Sequence, residues 1–215
     1  MTQVKVCGVC RARDAAVAAS AGAAYVGVIL APQRARTQSA EGAAAIFSAS
    51  AARRVGVFVD EDVAVMIRHV QQLALDVVQL HGDESTDTAR QLAAAGVEVW
   101  KAVRVRDADD VLRAARAFHG SAHALLLDGW SPHAHGGTGV RFDWDAVADA
   151  RAAIPDDMKV IAAGGLDPDN VAAVIRRLAP DAVDVSSGVE EQTGVKSTAR
   201  IHAFIAAVRG AKDPS

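Results

Sequence analysis

Short apolar runs separated by longer amphipathic stretches repeat eight times along the chain. The runs cover 4–7, 25–30, 54–59, 76–81, 97–103, 123–128, 159–163 and 182–186. Most are near-continuous in Val, Ile, Leu and Ala, the pattern of strands buried on both faces of a parallel sheet. Helical spacing marks the segments between and after them, at 12–21, 40–50, 62–73, 85–95, 107–118, 144–153, 168–178 and 198–209. Local signals agree with these boundaries. Ser85 precedes the fourth helix, Asp167 stands before Pro168 at the seventh, and Gly22 and Gly96 follow the first and fourth. Strict alternation predicts a parallel α/β architecture. Eight complete units predict closure into a (β/α)8 TIM barrel, with residues 1–215 as a single domain, since an open doubly wound sheet usually has fewer strands.

In such a barrel every strand C-terminus opens on one face, the face where active sites are built. Nearly every residue suited to chemistry falls there. Cys7 closes the first run and Asp128 the sixth. Gln79 and His81 share one face of the fourth run through two-residue alternation, which brings His81 near the mouth. Arg36 lies in the loop after the second run. Glycine-rich turns follow the last three: Gly136-Gly137-Thr138-Gly139, then Gly164-Gly165, then Ser186-Ser187-Gly188.

Each of these has a plain reading and a chemical one. Cys7 is either a small buried hydrophobe or, as a thiolate, a base whose pKa must fall from about 8.5. Asp128 either caps a turn or serves as a general acid or base. Facing each other across the mouth, the two would support proton relocation. The glycine turns after runs seven and eight match the usual barrel phosphate site, so they imply a phosphorylated small molecule as ligand. Arg36 either solvates its loop or grips a substrate carboxylate through two hydrogen bonds. Cys7-Gly8-Val9-Cys10 is also a C-x-x-C motif, and His133 and His135 would complete four metal ligands. Their irregular spacing, and the motif's place at the start of the chain, argue against metal or disulfide chemistry.

Composition narrows the class. The 215 residues are 51% hydrophobic, enough for one large core. A net charge of -3 gives no sign of a nucleic-acid or membrane surface. No run approaches the roughly 18 apolar residues of a membrane helix. Lys5 interrupts a very short apolar start, so no signal peptide is expected. Two cysteines without an export signal fit free thiols in the reducing cytoplasm. A monomer and a homodimer are equally compatible with this sequence.

Several motifs stand in register along the whole chain. They are Lys5-Val6-Cys7-Gly8-Val9, Val55-Gly56-Val57-Phe58-Val59, and Val78-Gln79-Leu80-His81-Gly82-Asp83-Glu84. Leu126-Leu127-Asp128, Gly136-Gly137-Thr138-Gly139 with Phe142-Asp143-Trp144, and Ala163-Gly164-Gly165-Leu166 follow. Asp184-Val185-Ser186-Ser187-Gly188-Val189-Glu190 and Gly194-Val195-Lys196 complete the series. In this order, from Val4 to about Ile201, the chain resembles the phosphoribosylanthranilate isomerase family of tryptophan biosynthesis.

The resemblance implies an Amadori rearrangement of N-(5-phosphoribosyl)anthranilate without metal or organic cofactor. Asp128 would protonate the furanose oxygen, and Cys7 would take the proton from ribose C2. Arg36 would hold the anthranilate carboxylate. Gly164, Gly165, Ser187 and Gly188 would cradle the phosphate, with Gly137, His81 and Asp184 as further substrate contacts. Two positions depart from the family pattern: Cys10 stands where Thr is usual, and Arg34-Ala35-Arg36 where Ser-Pro-Arg is usual. The nearest rivals are another sugar-phosphate barrel enzyme and a barrel with a Cys7–Cys10 thiol switch. Lys101 alone is a poor match to the lysines of an indole-glycerol-phosphate synthase, and the acidic or metal-binding groups of a pentose-phosphate epimerase are missing.

Overall fold

The structure, a computed structural model, describes residues 1–129 and 144–211. Eight parallel strands close on themselves in sequence order. They are β1 (Gln3–Val6), β2 (Tyr25–Ile29), β3 (Arg53–Phe58), β4 (Val77–Leu80), β5 (Glu98–Val105), β6 (Ala124–Gly129), β7 (Lys159–Ala163) and β8 (Ala182–Val185). The seam between first and last is in register from Gln3 against Ala182 to Val6 against Val185. Around the barrel lie α1 (Ala12–Ala21), α2 (Ala40–Ser48), α3 (Val63–Leu73), α4 (Thr86–Ala94), α5 (Ala108–Phe118), α6 (Asp145–Arg151), α7 (Val171–Leu178) and α8 (Thr198–Gly210). No helix among the described residues is long and apolar enough to cross a membrane.

The expected order of elements is therefore the observed one, and the differences have local causes. Ser85 caps α4 by accepting from Thr88 N at 3.1 Å, and Gly22 ends α1 with a φ of 109°. Helix α7 starts at Val171 rather than at Pro168, because the Asp167 carboxylate first ties down the amides of Asp169 and Asn170 in a turn. Strand β5 runs two residues beyond its apolar run. Arg104 pairs with Asp128 and Val105 with Gly129, so the ladder continues where the hydrophobic pattern stops. Between β8 and α8 the chain adds an unforeseen antiparallel hairpin, β9 (Glu190–Gln192) with β10 (Val195–Lys196).

Period-two alternation sorts every strand into two faces. Outward residues such as Val4, Val6, Val26, Val28, Leu125 and Leu127 pack on the helices as the main core. Inward residues form a second cluster inside the barrel, where Tyr25, Val55, Val77, Trp100, Leu126 and Ile161 fill the lumen. Tyr25 meets Trp100 edge to face with ring centroids 4.9 Å apart.

The floor of the barrel is polar, and its charges are paired. Glu98 accepts from Trp100 Nε1 at 2.9 Å, Lys159 Nζ at 2.9 Å and Arg53 Nη2 at 2.8 Å. Burial pushes its carboxyl up, but these three donors outweigh it and hold the pKa at about 2. Because the folded pKa lies below the ordinary value, the contribution is full above pH 4.5 and fades as the pH falls toward 2. Solvent screening at this half-buried group leaves about 1–2 kcal/mol. Glu98→Gln is expected to lower stability by that amount at neutral pH and to flatten the loss between pH 4.5 and 2. Denaturant melts across that range would check it, and an unchanged acid profile would contradict it.

Candidate active site

At the other end of the barrel, a pocket of about 460 Å³ opens among the strand C-termini. A second cleft of about 600 Å³ lies at the floor, beside the paired Arg53, Glu98 and Lys159. The upper pocket gathers most of the residues singled out from the sequence: Cys7, Arg36, His81, Asp128, Gly164, Gly165, Asp184 and Ser187 all line it. Gly188 does not. A Cβ there would run into the Leu166 carbonyl, so it packs the eighth loop against the seventh. Gly137, like His133 and His135, lies outside the described residues.

Cys7 follows β1 directly, its amide donating to Val185 O at 2.8 Å, and Gly8 turns the chain with a φ of 63°. Its neighbour inside the lumen is Lys5, one inward step down the same strand. The Lys5 side chain is fully buried, and its ammonium donates to Asp184 Oδ2 at 2.9 Å. Burial works against that charge, yet Asp184 and Cys7 outweigh it and raise the Lys5 pKa. Gly27 makes room for this group: a Cβ there would stand 3.0 Å from Cys7 Sγ and 3.2 Å from Lys5 Nζ. The other oxygen of Asp184, Oδ1, is buried and has no hydrogen-bond partner among the described residues.

The acidified thiol anticipated from the sequence is not what this site has at rest. Burial pushes the Cys7 thiol up and Asp184 adds to the shift, while Lys5 and Lys196 pull against it. Desolvation of a thiolate wins over two nearby cations because the sulfur is almost wholly enclosed. Both cysteines are free. Cys10 donates to the carbonyls of Gly8 at 3.6 Å and Arg36 at 3.7 Å, so a thiol ties the first and second loops together.

Asp128 stands on β6, about one-third exposed, with Oδ2 3.4 Å from His81 Nε2. The seventh loop comes close to it. A Cβ on Gly164 would lie 2.5 Å from Gly129 N and 2.7 Å from Asp128 Oδ1, and the φ of 88° is itself one that side chains rarely adopt.

Arg36 is held differently from the free clamp expected of it. Its Nε and Nη2 donate to the two oxygens of Glu190 at 2.7 and 2.6 Å. Lys196 Nζ reaches the same carboxylate at 2.9 Å and also donates to Ser186 O at 3.1 Å. One edge of the guanidinium is thus occupied, and the opposite Nη1/Nη2 edge is the one left for a second carboxylate. The hydrogen bonds from Arg36 keep the Arg36 pKa raised. The Glu190 carboxyl, despite its burial, sits below its usual range.

Sequence reasoning missed Lys5, Arg104, Glu190 and Lys196. Stepping by two from Cys7 down β1 reaches Lys5, and stepping by two from Trp100 up β5 reaches Arg104. Strand alternation was thus a signal that could have placed both inside the barrel. Glu190 and Lys196 sit on strands of three and two residues, too short to carry a periodic signal.

Comparison with known proteins agrees with this geometry. The family model for N-(5'-phosphoribosyl)anthranilate (PRA) isomerase matches residues 4–207. An N-(5'-phosphoribosyl)anthranilate isomerase from Pelobacter propionicus is 41% identical over 209 residues, spanning 95% of this chain and 94% of the relative. The crystal structure of phosphoribosyl anthranilate isomerase from Thermotoga maritima superposes with a TM-score of 0.89 at 35% identity, covering 98% of this chain and all 100% of that one. A solved complex of such an isomerase with reduced 1-(o-carboxyphenylamino)-1-deoxyribulose 5-phosphate gives a TM-score of 0.85 at 33% identity, with 98% and 100% coverage. A closed barrel, a mouth holding a thiol opposite a carboxylate, and a match along nearly the whole length lead to one conclusion: this chain belongs to the N-(5'-phosphoribosyl)anthranilate isomerase family.

Proposed function

We propose that this protein catalyses the Amadori rearrangement of N-(5-phosphoribosyl)anthranilate to 1-(2-carboxyphenylamino)-1-deoxyribulose 5-phosphate, with Cys7 as general base and Asp128 as general acid. The observation that carries this reading is the presence of both groups in one pocket of a chain of this family. Asp128 gives its proton to the furanose ring oxygen; the C1–O bond breaks and leaves a protonated Schiff base. Cys7, as thiolate, removes the proton from C2, and the electron pair moves to form the enolamine. Tautomerisation of the enolamine yields the ketone. Only protons move, so no redox partner is needed.

The remaining groups bind and orient the substrate. The Nη1/Nη2 edge of Arg36 faces the anthranilate carboxylate, while Glu190 and Lys196 hold the arginine from behind. Backbone amides of the seventh and eighth loops, at Gly164, Gly165 and Ser187, receive the phosphate. Oδ1 of Asp184 offers an acceptor to a ribose hydroxyl, and His81 borders the ring-opening end. Two free thiols fit the reducing cytoplasm as its compartment. The rearrangement is a step of tryptophan biosynthesis. Expression of this chain in a tryptophan auxotroph lacking the isomerase should therefore restore growth without tryptophan, and failure of soluble protein to do so would contradict the proposal.

Because Arg36 holds a group remote from the bonds that change, Arg36→Ala should raise KM by about 10- to 100-fold with kcat within a few-fold. Steady-state kinetics separate the two constants. An unchanged KM would mean that the carboxylate is held elsewhere.

A further inference from the structure

Gln79 is a polar side chain in an otherwise apolar stretch of the lumen. It lies level with Val57 on β3 and Trp100 on β5, and only 1% of it is exposed. An apolar residue would fill that space without the cost of burying an amide. Its Nε2 lies 2.8 Å from His81 Nδ1, two residues on along the same inward face. The other nitrogen of the ring, Nε2, lies 3.4 Å from Asp128 Oδ2. Among the described residues, Gln79 and Asp128 are thus the side chains whose polar atoms approach the His81 ring nitrogens, one at each.

With the Gln79 amide turned as it is, Nε2 toward the ring and Oε1 buried without a hydrogen-bond partner among the described residues, these partners select one tautomer. With the acidic proton of Asp128 on Oδ1, Oδ2 is a carbonyl oxygen that only accepts, so the ring nitrogen facing it is the one that carries hydrogen. In a neutral imidazole the other nitrogen is then an acceptor, and an acceptor at Nδ1 calls for a donor opposite. The amide N–H of Gln79 supplies it. A carboxylate or a carbonyl oxygen in the same place would select the opposite tautomer and turn a bare nitrogen toward Asp128.

We propose that Gln79 is a positioning residue that acts through His81, fixing its Nε2–H tautomer so that the ring binds Oδ2 of Asp128 and leaves Oδ1 to deliver the proton. The absence of a side chain at Gly164 clears the space beside that Oδ1. This inference rests on the reading of Asp128 as the acid. It adds a residue to the reaction's machinery that never needs to touch the substrate.

The test combines two variants with two readouts. Gln79→Met fills the site and removes the donor; Gln79→Glu keeps the shape and replaces the donor by an acceptor. Long-range ¹H–¹⁵N spectra of the ring, assigned by loss of the signal in His81→Asn, should show Nε2–H in the parent at a pH where the ring is neutral. Gln79→Met should give a mixture of tautomers and Gln79→Glu mostly Nδ1–H. We expect kcat to fall about tenfold and about a hundredfold respectively, with KM within about twofold. In a His81→Ala background, Gln79→Met should have no further effect on kcat. An unshifted tautomer, an unchanged kcat, or an equal loss with and without His81 would each overturn the proposal. Wild-type turnover by Asp128→Asn would instead refute the acid reading, while the tautomer spectra would still report on the Gln79–His81 bond by themselves.

Discussion

Replacing Cys7 by serine should lower kcat by about three orders of magnitude, equivalent to about 4 kcal/mol of transition-state stabilisation, while KM changes little. Serine nearly matches cysteine in shape, and Lys5 keeps its partner Asp184 at 2.9 Å, so the buried charge pair survives the change. What disappears is a group able to exist as an anion at accessible pH. Binding rests on other groups, so the loss belongs in kcat rather than KM. The same thiol can be followed without substrate. Burial and Asp184 push its titration upward, so alkylation of Cys7 in a Cys10→Ser background should be slow at neutral pH. It should then accelerate with rising pH until the displaced thiol titrates. Near-normal turnover by Cys7→Ser would remove Cys7 from the base role.

Asp128→Asn should be damaged to a similar degree, about 10²- to 10⁴-fold in kcat. The amide can still meet His81 through its carbonyl oxygen, and the β6 ladder around it pairs through backbone atoms, so folding should be spared. An amide has no proton to give to a departing ring oxygen. The expected signature is therefore slow ring opening with intact binding of the reduced product analogue. If substrate supplied already opened as the Schiff base were turned over normally by this variant, the step assigned to Asp128 would be isolated directly. A weakened binding constant with unchanged kcat would assign Asp128 to substrate binding instead.

Much of this architecture was legible in the chain because strands enclosed by helices on one side and a filled lumen on the other leave nearly unbroken apolar runs. The barrel's mouth could be read for the same reason, as the first polar residue after each run, Cys7 or Asp128, marks the strand end. Arg104 was hidden by that very rule. It breaks the run of β5 although the ladder continues beside Asp128 to Val105. Lys5 was hidden by its charge, since a fully buried lysine is unusual and becomes possible only when a carboxylate from β8, far away in sequence, closes on it. Arg36 was recognisable as a cation for the mouth, but not its attachment to Glu190, which depends on a hairpin of three- and two-residue strands. The need for an acidic thiol followed from the chemistry of bases in solution, and the enclosure of Cys7 by β1, β2 and β8 reversed it.

The most direct test is the loss of anthranilate-type fluorescence when N-(5-phosphoribosyl)anthranilate, generated in situ, meets the purified and reduced protein. A rapid decay with the parent chain, reduced by about a thousandfold in Cys7→Ser and comparably in Asp128→Asn, is the predicted result. No decay from a folded, reduced parent protein would contradict the account. It would leave the barrel and its phosphate-ready loops in search of another substrate.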